Sequence, residues 1–216
     1  MIKACIFDLD GTLSNTLTTI AYYCNQTLNK FDLPSLPQER YRYLVGNGAR
    51  ILVERMVREA GGAEALMDTI FKEYTEAYEK EPLYLTAPYE GIVDLLKALR
   101  ERGILTAVLS NKPHAPACAV VDALFGKDAF DCCYGQREGV PIKPDPTAVL
   151  EIMKELGVTA EECFYIGDTA VDMQTGTASG ATSVGVLWGF RDRQELEESG
   201  ADILLEYPMQ LLDFLA

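Results

Sequence analysis

The regular alternation of strand-like and helix-like segments after about residue 89 is the feature that most constrains the fold of this chain. Residues 89–102 carry Leu95 and Leu99 at the spacing of one helix face, and Gly103 is suited to end that helix. Residues 104–109 form a short apolar run of the kind found in buried strands. Repeats of strand and helix predict an α/β fold, in which a parallel sheet carries helices on both faces.

The same pattern continues to the carboxyl terminus, and one further predicted strand lies at the amino terminus. The predicted strands are 2–9, 104–109, 130–134, 163–166, 182–186 and 203–205, and the predicted helices are 89–102, 114–125, 146–156, 171–179, 193–199 and 208–215. Together they describe a Rossmann-like parallel-sheet core domain.

Residues 14 to about 82 interrupt this alternation. They contain no convincing strand, and 17–29, 50–60 and 65–80 all have helical patterns. The simplest interpretation is an α-helical cap domain, residues 14–86, inserted after the first strand. The core domain would then consist of residues 1–13 and 87–216.

Charge and apolar patterning exclude several classes of protein. The chain has 216 residues, with 19 Lys and Arg against 33 Asp and Glu, which gives a net charge of −14. A nucleic acid or an anionic membrane is therefore not expected as a partner. The apolar runs are strand-sized, and the amino terminus lacks the features of a signal peptide.

The six cysteines are scattered and include no Cys-x-x-Cys pair. This spacing favours free thiols in a reducing cytoplasm over a disulfide framework or a zinc site. The oligomeric state is left open by the sequence.

Acidic residues follow the first predicted strand directly. Asp8 and Asp10 are two positions apart, and side chains at that spacing lie on the same face of a strand. Both carboxylates can therefore face one site as the strand ends, and Gly11 permits the chain to turn sharply there. Carboxylates this close repel each other unless a cation or a shared proton offsets the repulsion. An acidic turn with a capping Thr12 or Ser14 is the alternative interpretation.

Three further polar elements follow later strands. Ser110 and Asn111 can donate to phosphate oxygens, and Lys143 lies between prolines as a rigid positive charge. Asp168 ends another strand, and Asp172 follows at helical spacing; oxygen ligands of this kind suit Mg²⁺. Helix capping and solvated loop residues are the alternatives for each element taken singly.

Taken together, the four ordered elements resemble those of the haloacid dehalogenase superfamily over nearly the whole chain. The segments that carry the resemblance to its phosphoglycolate phosphatase-like group are Asp8-Leu-Asp-Gly-Thr-Leu, Ser110-Asn-Lys-Pro, Lys143-Pro-Asp-Pro, Gly167-Asp-Thr-x-x-Asp, Gly46-Asn-Gly48 and Trp188-Gly-Phe-Arg191. One departure is Asn15, where many relatives carry Asp.

The resemblance implies a hydrolase that removes phosphate from a small phosphorylated metabolite with Mg²⁺ as cofactor. Asp8 is the implied nucleophile, which forms an aspartyl-phosphate, and Asp10 is the implied general acid and base. The implied metal ligands are Asp8, the backbone carbonyl of Asp10, and Asp168. Ser110, Asn111 and Lys143 would bind the phosphoryl group. Asp172 would orient metal-bound water or Lys143, with direct ligation as the alternative.

Related activities on the same core remain as alternatives. An acid at position 10 argues against the dehalogenase branch, which lacks one there. A β-phosphoglucomutase-like phosphotransferase or a pyrophosphatase would share all four core elements. A catalytically silent binding or regulatory protein is an alternative of another class. In such a protein the mutual repulsion of Asp8, Asp10 and Asp168 would have no catalytic function to compensate for it.

Substrate selection is expected to come from the cap. Gly46-Asn47-Gly48 is typical of a tight turn that opens a helix, where backbone N–H groups can bind a second anion. Arg50 adds a bidentate donor able to hold a carboxylate. The alternative places Arg50 on the solvent face of its helix.

Overall fold

The computed structural model describes residues 1–215. The chain folds into two compact units. One unit contains Met1–Asn15 and Pro88–Ala216, and the other contains Thr16–Ala87. The domain boundaries expected from the sequence, after residues 13 and 86, lie within two residues of these limits.

Strands and helices alternate in the first unit, and helices fill the second. The strands are β1 (Ala4–Phe7), β2 (Ser14–Asn15), β3 (Ala87–Pro88), β4 (Leu105–Pro113), β5 (Cys132–Gln136), β6 (Cys163–Gly167), β7 (Thr182–Val186) and β8 (Ile203–Leu205). The α-helices are α1 (Leu17–Lys30), α2 (Gln38–Leu44), α3 (Gly48–Glu59), α4 (Met67–Lys80), α5 (Ile92–Glu101), α6 (His114–Phe125), α7 (Thr147–Leu156), α8 (Ala170–Ser179) and α9 (Arg193–Glu198). Short 3-10 helices cover Glu64–Leu66, Ala160–Glu162 and Pro208–Phe214.

The core of the first unit is a six-stranded sheet in the order β5-β4-β1-β6-β7-β8. All of its strand pairs are parallel. The predicted α/β class with a parallel sheet is therefore confirmed. The chain adds β4 and β5 on one side of β1 and then continues with β6 on the other side. Sheets of this topology bind ligands at the carboxyl ends of the strands where the order reverses, which here lies beside β1.

Both faces of the sheet are buried. Along β1, Cys5 and Phe7 pack into the apolar cluster on one face, and Ala4 and Ile6 pack into the cluster on the other. This is the alternation that a pleated strand imposes on a sequence buried on both sides. The apolar run of β1 therefore fixes the strand at the centre of the sheet.

The second unit packs its helices around an apolar core that includes Cys24, Met56 and Ile70. Tyr41 is fully buried, and its hydroxyl donates to Oδ1 of Asn25 at 2.7 Å, so its polar end is satisfied. Across residues 1–215, no helix has the length and apolar character that crossing a membrane would require.

The elements differ from the sequence-based expectation in several places. Strand β2 lies within residues 14–82, where no strand was expected, because two residues are too few to show a periodic pattern. Helix α2 was not predicted, because it buries only Tyr41 and Leu44 and so carries too little apolar periodicity. Strand β4 continues past Leu109 to Pro113, where it pairs with Gln136 after a shift in register. The expected terminal helix is a 3-10 helix.

Candidate active site

The carboxylates of Asp8, Asp168 and Asp172 meet at the carboxyl edge of the sheet. Asp8 follows β1, and its backbone N–H donates to the carbonyl of Ile166 in β6 at 2.8 Å, which extends the pairing of the two strands. Asp168 follows β6, and Asp172 lies in the first turn of α8. One oxygen from each of the three carboxylates lies within 4.8 Å of the others, and all three residues are buried.

Burial and repulsion between carboxylates disfavour the ionised forms of Asp8 and Asp168. Burial raises the pKa of Asp8 to about 7, with the carboxylate of Asp172 adding to the shift and Lys143 opposing it. Burial also raises the pKa of Asp168 well above its usual range, and Asp172 and Asp8 add to that shift. A cation placed among them would relieve both effects.

Lys143 supplies one positive charge to this cluster. Its Nζ lies 2.7 Å from Oδ1 of Asp172 and 2.9 Å from Oδ1 of Asp8, and its side chain is only 2% exposed. Burial alone would lower the pKa of Lys143, but the carboxylates of Asp172 and Asp8 raise it well above its ordinary value. Lys143 is therefore a fixed ammonium beside Asp8.

Asn111 holds the backbone of Lys143. Its Oδ1 accepts from the backbone N–H of Lys143 at 2.9 Å, and its Nδ2 donates to the carbonyl of Lys143 at 3.2 Å. The sequence predicted contact between Asn111 and phosphate, and this stays a prediction. The two bonds give the amide of Asn111 a further role, because they fix the backbone at Lys143. Ser110 is buried, and its Oγ accepts from the backbone N–H of Lys112 at 3.2 Å.

The capping interpretation of Asp172 is also satisfied. Its Oδ2 accepts from the backbone N–H and from the hydroxyl of Thr169 at 3.1 and 2.7 Å, which forms the capping box of α8. Because Oδ1 accepts from Lys143, both oxygens of Asp172 have protein partners. Capping and the site geometry therefore use the same residue.

The carboxylate of Asp168 lies close against the backbone at Gly11, where a side chain would not fit. Its Oδ1 accepts from the Thr12 hydroxyl at 3.1 Å, and its Oδ2 accepts from the backbone N–H of Phe190 at 2.8 Å. Gly11 has a φ of +92°, and a Cβ there would lie 2.3 Å from Oδ2 of Asp168. The Gly11 turn is therefore a steric requirement of this site as well as a conformational one.

Asp10 is paired with a lysine that the sequence analysis did not assign to the site. The Nζ of Lys112 lies 3.2 and 3.1 Å from Oδ1 and Oδ2 of Asp10. The two residues are 102 positions apart in sequence, and no local pattern joins them. The signal that could have found Lys112 is its place two residues after Ser110, at the same strand end.

The predicted cap residues lie at the start of α3. Gly48 is the first residue of the helix, and Asn47 precedes it as the N-cap. The Oδ1 of Asn47 accepts from Nη2 of Arg55 at 2.9 Å. The turn formed by Gly46, Asn47 and Gly48 is thus tied to the helix that it opens.

Arg50 is half-exposed and makes ion pairs with two acids of the cap, at 3.1 Å to Glu54 and 2.6 Å to Asp68. These contacts compete with the carboxylate-binding role that the sequence predicted for it.

The residues at the sheet edge fit a divalent cation of the magnesium type. The donors of Asp8 and Asp168 are oxygens, as hard cations prefer, and one oxygen from each of the three buried carboxylates lies within 4.8 Å of the others. The geometry therefore supports metal dependence.

Comparison with known proteins gives a consistent result. The family model for haloacid dehalogenase-like hydrolases matches residues 5–186. A phosphoglycolate phosphatase from Rhodospirillum rubrum is 33% identical, covering 100% of this chain and 91% of that protein. A phosphoglycolate phosphatase from Haemophilus influenzae is 31% identical, with 97% and 96% covered.

A solved structure from Lactobacillus delbrueckii subsp. bulgaricus, provisionally assigned as a phosphoglycolate phosphatase, superposes with a TM-score of 0.93 at 28% identity and covers 99% of this chain and 98% of that one. Because the family model spans most of the sequence and full-length relatives exceed 30% identity, the chain belongs to the haloacid dehalogenase-like hydrolase family.

Proposed function

We propose that this hydrolase is a Mg²⁺-dependent phosphatase of small phosphorylated metabolites, and that 2-phosphoglycolate is its foremost candidate substrate. The observation that carries the proposal is the buried cluster at the sheet edge, where Asp8, Asp168 and Asp172 meet the ammonium of Lys143. The names of the full-length relatives supply the candidate substrate.

Asp8 is the proposed nucleophile. Its carboxylate oxygen attacks phosphorus, the bond from phosphorus to the ester oxygen breaks, and Asp10, which must enter this step in its protonated form, gives that proton to the departing oxygen. Water then attacks phosphorus, Asp10 takes its proton, and the bond between phosphorus and Asp8 breaks to release inorganic phosphate. Lys143, at 2.9 Å from Asp8, keeps positive charge where carboxylate and phosphate must approach each other.

A bound Mg²⁺ would be held by Asp8, the backbone carbonyl of Asp10, and Asp168, and it would offset the negative charge of the phosphoryl group. Asp172 is proposed to act by orienting Lys143, because its Oδ1 accepts from the ammonium of Lys143 at 2.7 Å. Direct ligation by Asp172 is the alternative.

Ser110 and Lys143 are the proposed donors to the phosphoryl oxygens. The hydroxyl oxygen of Ser110 accepts from the backbone of Lys112, which orients the hydroxyl and leaves its hydrogen to donate to a bound oxygen. Asn111 contributes by fixing the backbone of Lys143. The proposed roles of Gly46, Asn47, Gly48 and Arg50 in substrate selection stay predictions, as does a cytoplasmic location.

A turnover assay tests the proposal. The purified chain is given 2-phosphoglycolate, p-nitrophenyl phosphate, pyrophosphate and hexose phosphates, each with Mg²⁺ and with excess EDTA. We expect Mg²⁺-dependent phosphate release, with the highest kcat/KM for 2-phosphoglycolate, and loss of activity in the Asp8→Asn variant.

Turnover unaffected by EDTA would contradict the metal dependence. Isomerisation of a hexose phosphate without phosphate release would indicate a mutase. No turnover with any substrate or metal would favour a binding protein.

A further inference from the structure

Lys112 and Asp10 form a largely buried ion pair at the end of β4. The Lys112 side chain is 9% exposed and the Asp10 side chain is 13% exposed, with Nζ 3.1 Å from Oδ2 of Asp10. Desolvation offsets most of the attraction in such pairs, so a buried pair adds little to the stability of a fold. Its position, next to the proposed proton donor of the reaction, points to a use in the reaction.

The backbone of Lys112 is tied to the phosphate-binding side of the site. Its N–H donates to the Oγ of Ser110 at 3.2 Å, while its ammonium lies on the carboxylate of Asp10. Lys143, by contrast, is engaged by Asp8 and Asp172. The two lysines therefore lie beside different acids. Lys143 lies beside the nucleophile Asp8, and Lys112 lies beside Asp10, the proposed proton donor to the departing oxygen.

We propose that Lys112 is a specificity-determining residue, whose ammonium binds an anionic group that the substrate carries one carbon away from its ester oxygen. This inference rests on the proposed function, because it takes Asp10 to act on that ester oxygen. The ligand chemistry is a small phosphate ester with an adjacent carboxylate, of which 2-phosphoglycolate is the simplest.

The distances within the site allow this contact. A proton donor lies about 3 Å from the atom it serves, so an ammonium 3.1 Å from Asp10 lies no more than about 6 Å from the ester oxygen. In 2-phosphoglycolate, standard bond lengths place the carboxylate oxygens roughly 3 Å from the ester oxygen. An ammonium carries three donors on a flexible stem, so it can share its hydrogen bonds between Asp10 and the substrate.

Electrostatics make such a contact necessary for an acidic substrate. The site already contains Asp8, Asp10, Asp168 and Asp172, and the whole chain has a net charge of −14. A second negative group on the substrate would meet repulsion from these carboxylates unless a cation faced it. Lys112 supplies that cation on the side of the ester oxygen.

A matched pair of substrates tests the inference. In 2-hydroxyethyl phosphate a neutral CH₂OH replaces the carboxylate of 2-phosphoglycolate, and the phosphoryl group and ester oxygen are unchanged. We expect the wild type to prefer 2-phosphoglycolate, and expect Lys112→Met to reduce the ratio of the two kcat/KM values by roughly 10- to 100-fold, the range for a lost charge-assisted hydrogen bond. Lys112→Arg keeps the charge and should retain most of the ratio.

The ratio separates recognition from indirect effects. Loss of Lys112 also removes the partner of Asp10, but that loss acts on both substrates and cancels in the ratio. Lys112→Gln serves as a second neutral variant, thermal unfolding checks each fold, and Arg50→Ala is the comparison in the cap.

Four results would overturn the inference. Equal loss on both substrates would make Lys112 a residue that acts only through Asp10. A fall in the ratio in Arg50→Ala but not in Lys112→Met would move carboxylate recognition to Arg50. A wild type that hydrolyses both esters without preference would remove the inference while the phosphatase function stands, whereas failure to hydrolyse any phosphate ester would refute both.

Discussion

Replacing Lys143 with Met would leave two buried carboxylates without their shared cation. The ammonium lies 2.9 Å from Asp8 and 2.7 Å from Asp172, and the lysine side chain is 2% exposed. Methionine has a similar length but no charge, so the substitution removes the electrostatic contact with little change in volume. We expect loss of both stability and activity.

The structure gives the size of the effect. Removing one partner of a buried ion pair costs about 3–5 kcal/mol, and for a chain of this size each kcal/mol corresponds to about 2–4 °C in Tm. The Tm of metal-free Lys143→Met should therefore fall by roughly 6–20 °C. Phosphatase activity should fall by roughly 10²- to 10³-fold, as is typical when a preorganised donor is lost.

The assay is urea unfolding in excess EDTA, followed by circular dichroism, with a double-mutant cycle. Asp172→Asn in the Lys143→Met background removes one stranded carboxylate, so the double variant should be more stable than Lys143→Met alone by about 0.5–3 kcal/mol. Lys3→Met is the control, because the Lys3 side chain is 59% exposed in its pair with Glu162. Such a surface pair contributes about 0–1 kcal/mol.

A Lys143→Met protein as stable as Lys3→Met would refute the reasoning. So would a double variant that is no more stable than Lys143→Met.

Two further predictions concern the acids and the turn beside them. The pKa of Asp168 is raised well above its usual range, and the pKa of Asp8 is raised to about 7. The folded metal-free protein therefore binds protons more tightly than the unfolded chain. It loses stability as pH rises from about 4 through 7. Its Tm should fall between about pH 4 and about pH 7. The fall should be smaller in Asp168→Asn, and an equal slope in the two proteins would contradict this. Gly11→Ala places a Cβ 2.3 Å from Asp168 and should reduce kcat by about 100-fold. Gly139→Ala is its control, with a φ of +75° and nothing within 4 Å of a Cβ; equal activity in the two variants would exclude a steric role for Gly11.

The sheet and the residues at its edge were predictable because they depend on local patterns. Apolar runs of strand length define β1 and β6, and the acids that follow them must meet because neighbouring parallel strands end at one edge. Asp8 and Asp168 could therefore be placed together before any distance was known. Lys143 required the resemblance as well, since a lysine between prolines has no periodic signature.

The remaining contacts depend on distances between remote segments. The pairing of Lys112 with Asp10, the bonds from Asn111 to the Lys143 backbone, and the ion pair of Arg50 with Asp68 join residues 102, 32 and 18 positions apart. Residue type limits what each side chain can bind, but only the folded structure selects the partner. Strand β4 shows the same limit, because its polar end is typical of a loop until pairing with β5 extends it.

Identification of the phosphorylated residue is the decisive test of whether Asp8 is the nucleophile. The enzyme is mixed with Mg²⁺ and ³²P-labelled 2-phosphoglycolate or another substrate that it hydrolyses, quenched in acid within milliseconds, and digested for peptide mapping. We expect label on the peptide that contains Asp8, release of that label by neutral hydroxylamine as for an acyl phosphate, and neither label nor turnover in Asp8→Asn. Label on another residue, or turnover that persists in Asp8→Asn, would contradict this role of Asp8.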